Sequence, residues 1–71
     1  MYTLIFKTNI ESELALKEIE VALVADTNLL DWSIDREDID KVLRVESKIN
    51  NSKEIINTIR HAGYICEELP D

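Results

Sequence analysis

The sequence of 71 residues is short and acidic, with a formal charge of −7 at pH 7, and 45% of its residues are apolar. The negative charge disfavours nucleic acids and anionic membrane surfaces as partners, because Lys and Arg supply most of the affinity for phosphate groups. The apolar fraction disfavours a disordered chain, and no stretch approaches the ~20 consecutive apolar residues that span a bilayer.

Residues 2–7, YTLIFK, predict the first strand. They are rich in aromatic and β-branched residues, and they alternate so that Tyr2, Leu4 and Phe6 share one face. These three side chains are therefore expected to point toward the core.

A helix is predicted next, because apolar side chains recur at helical spacing. They are Ala15, Leu16, Ile19, Ala22 and Leu23. Thr8 or Asn9 is the expected N-cap, since Thr8 and Glu11 have the spacing of a capping box. Glu11 and Glu13 suit the positive end of the helix dipole. The helix is expected to end near Asp26, where short polar side chains compete for backbone hydrogen bonds.

Two strands that pair as a hairpin are predicted in the middle of the chain. They cover Leu29–Asp35 and Lys41–Glu46, and the polar residues 36–40 connect them. The side chains expected to face inward are Leu30, Trp32, Ile34, Leu43 and Val45.

A second helix and a last strand complete the pattern. Asn51 is the expected N-cap, with Glu54 at capping-box spacing. The apolar face of this helix comprises Ile55, Ile56, Ile59 and Ala62. Gly63 stands where a left-handed residue would close the helix, and residues 64–69 predict a strand that Pro70 ends.

The predicted order is therefore strand, helix, strand, strand, helix, strand. Two βαβ units of this kind, with right-handed crossovers, interleave into a four-stranded antiparallel sheet with both helices on one face. The fold class is α+β, a ferredoxin-like βαββαβ sandwich. Since no linker and no secretory signal are visible, residues 1–71 are expected to form a single domain in the cytoplasm.

Residue types that serve catalysis are sparse, so neither an enzyme nor a cofactor is predicted. His61 is expected to face solvent on the second helix, where it complements the negative end of the dipole. Cys66, the single cysteine, is expected to be a small buried hydrophobe. Its neighbours Glu67 and Glu68 would oppose a reactive thiolate.

Five short motifs are spread over nearly the whole chain: FKTNI at residues 6–10, IxxAL at 19–23, WSID at 32–35, KVLRVE at 41–46 and IIxxIxxAGY at 55–64. Their order and spacing resemble the heavy-metal-associated domain family, the small copper and zinc chaperones and the matching N-terminal modules of metal-transporting ATPases. The resemblance is greatest to short, single-domain bacterial members that carry FKTNI before the metal loop. It implies the same ferredoxin-like fold.

In that family the first loop carries Met-x-Cys-x-x-Cys, whose two thiolates bind Cu(I) or Zn(II). The resemblance implies that Ile10 stands at the Met position, Ser12 at the first Cys and Ala15 at the second. A serine hydroxyl is a hard, neutral donor and alanine has no donor, so no metal is expected in this loop. A hard cation such as Ca²⁺ or Mg²⁺ on Glu11, Glu13 and Asn9 is an alternative, but both carboxylates also suit the helix dipole.

The favoured hypothesis is a protein-interaction module that has lost the family's metal site. Its partner would be a basic protein or a second copy of the chain, since acidic surfaces attract basic ones. The expected contact surface comprises Glu11, Glu13, Leu14, Val21 and Tyr64. Tyr64 belongs to a Gly-Tyr pair that the resemblance places close to the metal loop.

Two other hypotheses remain open. The first is a copper or zinc chaperone with non-standard ligands, in which Cys66 or His61 takes part. The second is an enzyme or a regulatory ligand-binding domain, which would require a pocket with convergent polar groups. The sequence contains no motif for such a pocket.

Overall fold

The computed structural model describes residues 1–70 and contains strands and helices in the predicted order. The elements are β1 (Tyr2–Thr8), α1 (Glu13–Val24), β2 (Leu29–Asp35), β3 (Val42–Ser47), α2 (Ser52–His61) and β4 (Cys66–Glu68). The strands form one antiparallel sheet in the order β2-β3-β1-β4. This arrangement confirms the α+β, ferredoxin-like prediction. Neither helix of residues 1–70 has the length and apolar character needed to cross a bilayer.

The core lies between one face of the sheet and the two helices. Leu4 and Phe6 of β1 lie opposite Val45 and Leu43 of β3, and all four side chains are buried. The helices cover this face with Ala15, Ile19, Leu23, Ile55 and Ile59. Removing each of the larger side chains from water contributes roughly 1.5–3 kcal/mol, so this cluster accounts for most of the driving force for folding.

Two side chains predicted to face the core lie largely outside it. Leu30 is 49% exposed, because the register shifts between Leu29 and Asp31, and Leu29 packs against the core in its place. Tyr2 is 47% exposed, since it is the first residue of β1 and lies at the rim of the sheet. The other inward positions of β2 pack against the core as predicted.

The limits of two strands differ from the prediction by one residue. β1 includes Thr8, and β3 begins at Val42 rather than Lys41 and ends at Ser47. Lys41 has a left-handed backbone conformation, with φ of 46°, so it belongs to the connection and does not continue the ladder.

The N-cap of α1 is Ser12, and the prediction of Thr8 or Asn9 was wrong. The Ser12 hydroxyl accepts a hydrogen bond from the N–H of Ala15 at 3.1 Å. Thr8 instead ends β1, and its hydroxyl donates to the backbone carbonyl of Lys41. The side chain of Asn9 is bonded to the segment that precedes β4. Both of the predicted caps therefore have other partners.

Asn51 is the N-cap of α2, as predicted, but its side chain makes no capping bond, so the predicted capping box with Glu54 was wrong. The side-chain oxygen Oδ1 of Asn51 accepts a hydrogen bond from the buried hydroxyl of Ser47 at 3.0 Å, and its side-chain nitrogen Nδ2 donates to Asp26 at 2.9 Å. Asp26 also accepts the N–H of Asn28 at 2.9 Å. Asn51 therefore joins the start of α2 to the end of β3 and to the α1–β2 connection.

The end of α2 is closed by glycine, as predicted. Gly63 has φ of 95°, and its N–H donates to the carbonyl of Arg60 at 3.0 Å. The N–H of Tyr64 donates to the carbonyl of Ile59 at 3.2 Å, which completes a Schellman motif. Because the N–H of Tyr64 is used to close α2, it does not join the sheet, and β4 is shorter than the strand predicted over residues 64–69.

Candidate functional site at the first loop

The first loop, residues 9–12, joins β1 to α1 and is fixed at its base by Thr8. The buried Thr8 hydroxyl donates to the carbonyl of Lys41 and accepts the N–H of Ile10 at 3.3 Å. The N–H of Thr8 donates to the carbonyl of Asp40 at 3.0 Å. Since Lys41 and Asp40 belong to the β2–β3 connection, these bonds hold the loop against that connection.

The three positions that the resemblance singled out, two in the loop and Ala15 in the first turn of α1, differ in exposure. Ile10 is fully buried, Ala15 is nearly so, and Ser12 is exposed. The Ser12 hydroxyl is used as the helix cap, and the Ser12 carbonyl accepts the N–H of Leu16 at 3.0 Å. Ile10 therefore packs this segment against the core, and the Ser12 hydroxyl is used to cap α1.

The segment before β4 contacts both the loop and α1. The N–H of Ile65 donates to Oδ1 of Asn9 at 2.9 Å, and the Tyr64 hydroxyl donates to Glu18 at 2.8 Å. The bond to Glu18 raises the pKa of Tyr64, because the carboxylate accepts from the protonated hydroxyl and its charge opposes a phenolate. Sequence reasoning missed the role of Asn9, because its partner lies 56 residues away.

The rest of the predicted contact surface lies on exposed parts of the loop and α1. Leu14 and Val21 are 67% and 75% exposed, and their spacing of seven residues puts them on the same side of the helix. Glu11 and Glu13 are exposed next to Leu14. The Arg36 guanidinium donates to the carbonyl of Glu11 at 3.4 Å, a contact that no sequence motif indicated.

The two side chains named as non-standard ligands lie in different environments. Cys66 is fully buried opposite Thr8 in the β1–β4 ladder, and burial raises the pKa of its thiol to about 11 despite the opposing effect of Arg60. The thiol is therefore protonated at pH 7. His61 is exposed at the end of α2, as predicted. Among residues 1–70, no three His, Cys, Asp or Glu side chains come together as a metal-binding group.

No family model matches the sequence, and no curated protein of similar sequence was found. Solved structures are similar over nearly the whole chain. The N-terminal domain of PacS from Synechocystis PCC6803 has a TM-score of 0.82 at 13% identity, covering 99% of this chain and 100% of that domain. The yeast copper transporter domain Ccc2a has a TM-score of 0.82 at 18% identity, covering 97% and 96%. The first domain of the human copper chaperone CCS has a TM-score of 0.76 at 17% identity, covering 93% and 89%.

These similarities agree with the resemblance carried by the sequence motifs. The chain has the heavy-metal-associated fold. The yeast neighbour is a copper transporter domain described in apo and Cu(I)-loaded states, and the human neighbour is the first domain of a copper chaperone in its Cu(I)-loaded form. At identities of 13–18% the similarity concerns the fold alone.

Proposed function

We propose that this chain is a non-enzymatic protein-interaction module with the heavy-metal-associated fold, whose first loop binds neither Cu(I) nor Zn(II). The proposal depends on the residues Ser12 and Ala15. Ser12 offers one hydroxyl, which already accepts the Ala15 N–H, and Ala15 offers a buried methyl group with no donor atom. Cu(I) prefers thiolate donors, and Zn(II) is usually bound by three or four Cys, His, Asp or Glu side chains. No such group of three comes together among residues 1–70, so both ions have little to bind in this loop.

The contact surface of the module lies on the loop and the exposed side of α1. Leu14 and Val21 supply apolar area, Glu11 and Glu13 supply negative charge, and Tyr64 is hydrogen-bonded to Glu18 on α1. The charge of −7 favours a basic protein over a second copy, because two acidic copies repel each other.

Metal titration tests the first part of this proposal. The purified protein is placed in competition with a chromophoric chelator of about micromolar affinity for Cu(I) or Zn(II). We expect the protein to withdraw no metal from the chelator, because the first loop has no soft donor. Submicromolar binding, accompanied by changes in the amide shifts of residues 9–15, would contradict the proposal.

A gain-of-function variant separates loss of the ligands from loss of the loop. Ser12→Cys combined with Ala15→Cys creates two thiols at the family spacing, and the N-terminus of α1 lowers their pKa. We expect this variant to bind Cu(I) or Zn(II) while losing about 1 kcal/mol of stability through the missing hydroxyl cap. Ser12→Cys alone is the matched control and should not chelate. A folded double variant without affinity would show that the register or the loop geometry is wrong.

Metal carriage through non-standard ligands is the second candidate, and the Cu(I)-loaded neighbours support it. It requires Cys66 or His61 to take part. The buried, protonated thiol of Cys66 opposes this, since soft metals bind the thiolate. If the wild-type protein binds metal and a Cys66→Ala variant does not, this candidate replaces the first.

Affinity capture from the native cell tests the contact surface. The wild-type protein, Leu14→Asp and Ile49→Asp serve as baits, and Ile49 is a matched control because it is an exposed apolar residue away from the first loop. We expect wild-type and Ile49→Asp baits to retain the same basic protein and the Leu14→Asp bait to lose it. Equal capture by all three would contradict the assigned surface.

A further inference from the structure

A groove of about 340 Å³, lined by both apolar and polar atoms, lies between the last turn of α1 and the edge strand β2. Its apolar lining comprises Leu23, Val24, Leu29, Leu30 and Trp32. The carboxylates of Asp26 and Asp31 complete it. The groove lies at the opposite end of α1 from the first loop and Leu14, although Val24 follows Val21 of the contact surface by one helical turn.

Two of the lining side chains are held out in solvent. Val24 is 72% exposed, and Leu30 is 49% exposed because the register shift between Leu29 and Asp31 turns it away from the core. Large apolar side chains exposed side by side leave area that a partner can bury. The half-buried ring of Trp32 forms a firm wall of the groove, since it packs against the core.

The groove is also negatively charged. Asp31 accepts the N–H of Trp32 at 2.9 Å, and Asp26 is hydrogen-bonded to the α2 start, but hydrogen bonding leaves both carboxylates charged. Among residues 1–70 the one ion pair joins Lys7 and Asp40, so neither groove carboxylate forms an ion pair, although Arg44 lines a neighbouring depression together with Asp31. A positively charged ligand would find both carboxylates available.

The edge of β2 is unsuited to pairing with a further strand. The bulge at Leu30 interrupts it, and the Asp31 carboxylate already occupies the N–H of Trp32. Bulges and charged residues at an edge are the usual means by which strands avoid pairing with other copies. Two copies of charge −7 would in addition repel each other. A second copy is therefore a poor occupant of the groove.

We propose that the groove binds a basic peptide segment of a partner protein. A bulky apolar side chain of the segment enters beside Val24, Leu30 and Trp32, and flanking Lys or Arg side chains pair with Asp26 and Asp31. An apolar anchor in a pocket surrounded by charged contacts is a common arrangement of binding hot spots. This site does not include the first loop, so a test of the groove can fail without affecting the proposed function, and the reverse.

Three capped hexapeptides test the proposal by titration of the ¹⁵N-labelled protein. They are Lys-Lys-Leu-Phe-Lys-Lys, Lys-Lys-Ala-Ala-Lys-Lys and Glu-Glu-Leu-Phe-Glu-Glu. We expect the first to give saturable shifts in the amides of residues 23–32. The second lacks the apolar anchor, so its affinity should be lower by about fivefold or more. The third should give no shifts.

Variants of the protein locate the binding. Leu30→Asp should weaken the first peptide about fivefold or more, whereas Leu14→Asp in the first-loop surface should leave its affinity unchanged. Asp31→Asn keeps an acceptor for the Trp32 N–H and should reduce both the affinity and its dependence on salt.

Four outcomes of the peptide titrations would overturn the proposal. They are equal binding of the first two peptides, shifts centred outside residues 23–32, no saturable shift at about 5 mM of the first peptide, and loss of affinity in Leu14→Asp. Concentration-dependent shifts of residues 23–32 in the protein alone would assign the groove to a second copy, and would overturn it as well.

Discussion

Tyr64 connects three parts of the molecule. Its N–H closes α2 by donating to the carbonyl of Ile59, and its hydroxyl donates to Glu18 on α1. The ring packs against the core, and the adjacent N–H of Ile65 reaches Asn9 in the first loop. One aromatic residue therefore fixes the end of α2 against α1, beside the surface assigned to partner binding.

Replacing Tyr64 by Phe should lower stability at neutral pH but not at high pH. Glu18 raises the pKa of Tyr64 above its ordinary value of 10.0, so the native state holds the phenolic proton more tightly than the unfolded state. The stabilisation is complete below about pH 10, the unfolded value, and is lost as the pH rises through the higher folded value. Urea unfolding at pH 7 and above pH 10 measures the difference, with Tyr2→Phe as the control for losing a hydroxyl. If the difference in the free energy of unfolding between the wild type and Tyr64→Phe does not change with pH, the bond between Tyr64 and Glu18 is contradicted.

At the scale of elements, the start of α1 depends on residues far along the chain. Local signals favoured Thr8 as the cap, but its hydroxyl bonds to Lys41, 33 positions away. Asn9, the other predicted cap, accepts from Ile65, 56 positions away. Because these contacts use both side chains, the helix begins later, at the next residue able to cap it, Ser12.

Ser12→Ala should therefore destabilise the protein by about 0.5–2 kcal/mol, since the N–H of Ala15 would lose its acceptor. Ser12→Asp should retain most of the stability, because a carboxylate can cap the helix and also suits its dipole. Chemical denaturation of the three proteins measures both effects. If Ser12→Asp unfolds as easily as Ser12→Ala, the hydroxyl has a role other than capping.

The order of the elements and the burial of Leu4, Phe6, Leu43 and Val45 could be predicted, because alternation with period two reports burial directly. The exposure of Leu14 and Val21 could be predicted from helical periodicity in the same way. The exposure of Leu30 could not be predicted, because the bulge that shifts the register has no signature in the local composition. The bond between Tyr64 and Glu18 joins residues that only the folded chain brings together.

At the scale of the whole molecule, the negative charge is poorly neutralised. The chain has 15 acidic residues against 8 basic ones. Among residues 1–70 the one ion pair, between Lys7 and Asp40 at 3.7 Å, is half exposed, and exposed pairs contribute only about 0–1 kcal/mol. Repulsion among the remaining carboxylates therefore opposes the compact state.

Added salt should stabilise this protein. Raising NaCl from about 10 mM to about 150 mM shortens the screening length from about 30 Å to about 8 Å, so the melting temperature should rise by a few degrees. Differential scanning calorimetry measures the change. A variant with Glu20→Gln, Glu67→Gln and Glu68→Gln, all at exposed positions, should gain less from salt. A melting temperature that does not depend on salt would contradict the expectation.

The strand pairings also determine how the chain can be divided. β1 and β2 lie in the first half of the chain, and β3 and β4 lie in the second. Each ladder of residues 1–70, β1–β3, β1–β4 and β2–β3, joins one half to the other. A break in the connection over residues 36–40 would leave two pieces with no ladder of their own, and each would acquire a sheet only on meeting its counterpart. Such pieces make a split reporter, in which the recovery of structure signals that two fused proteins have come together.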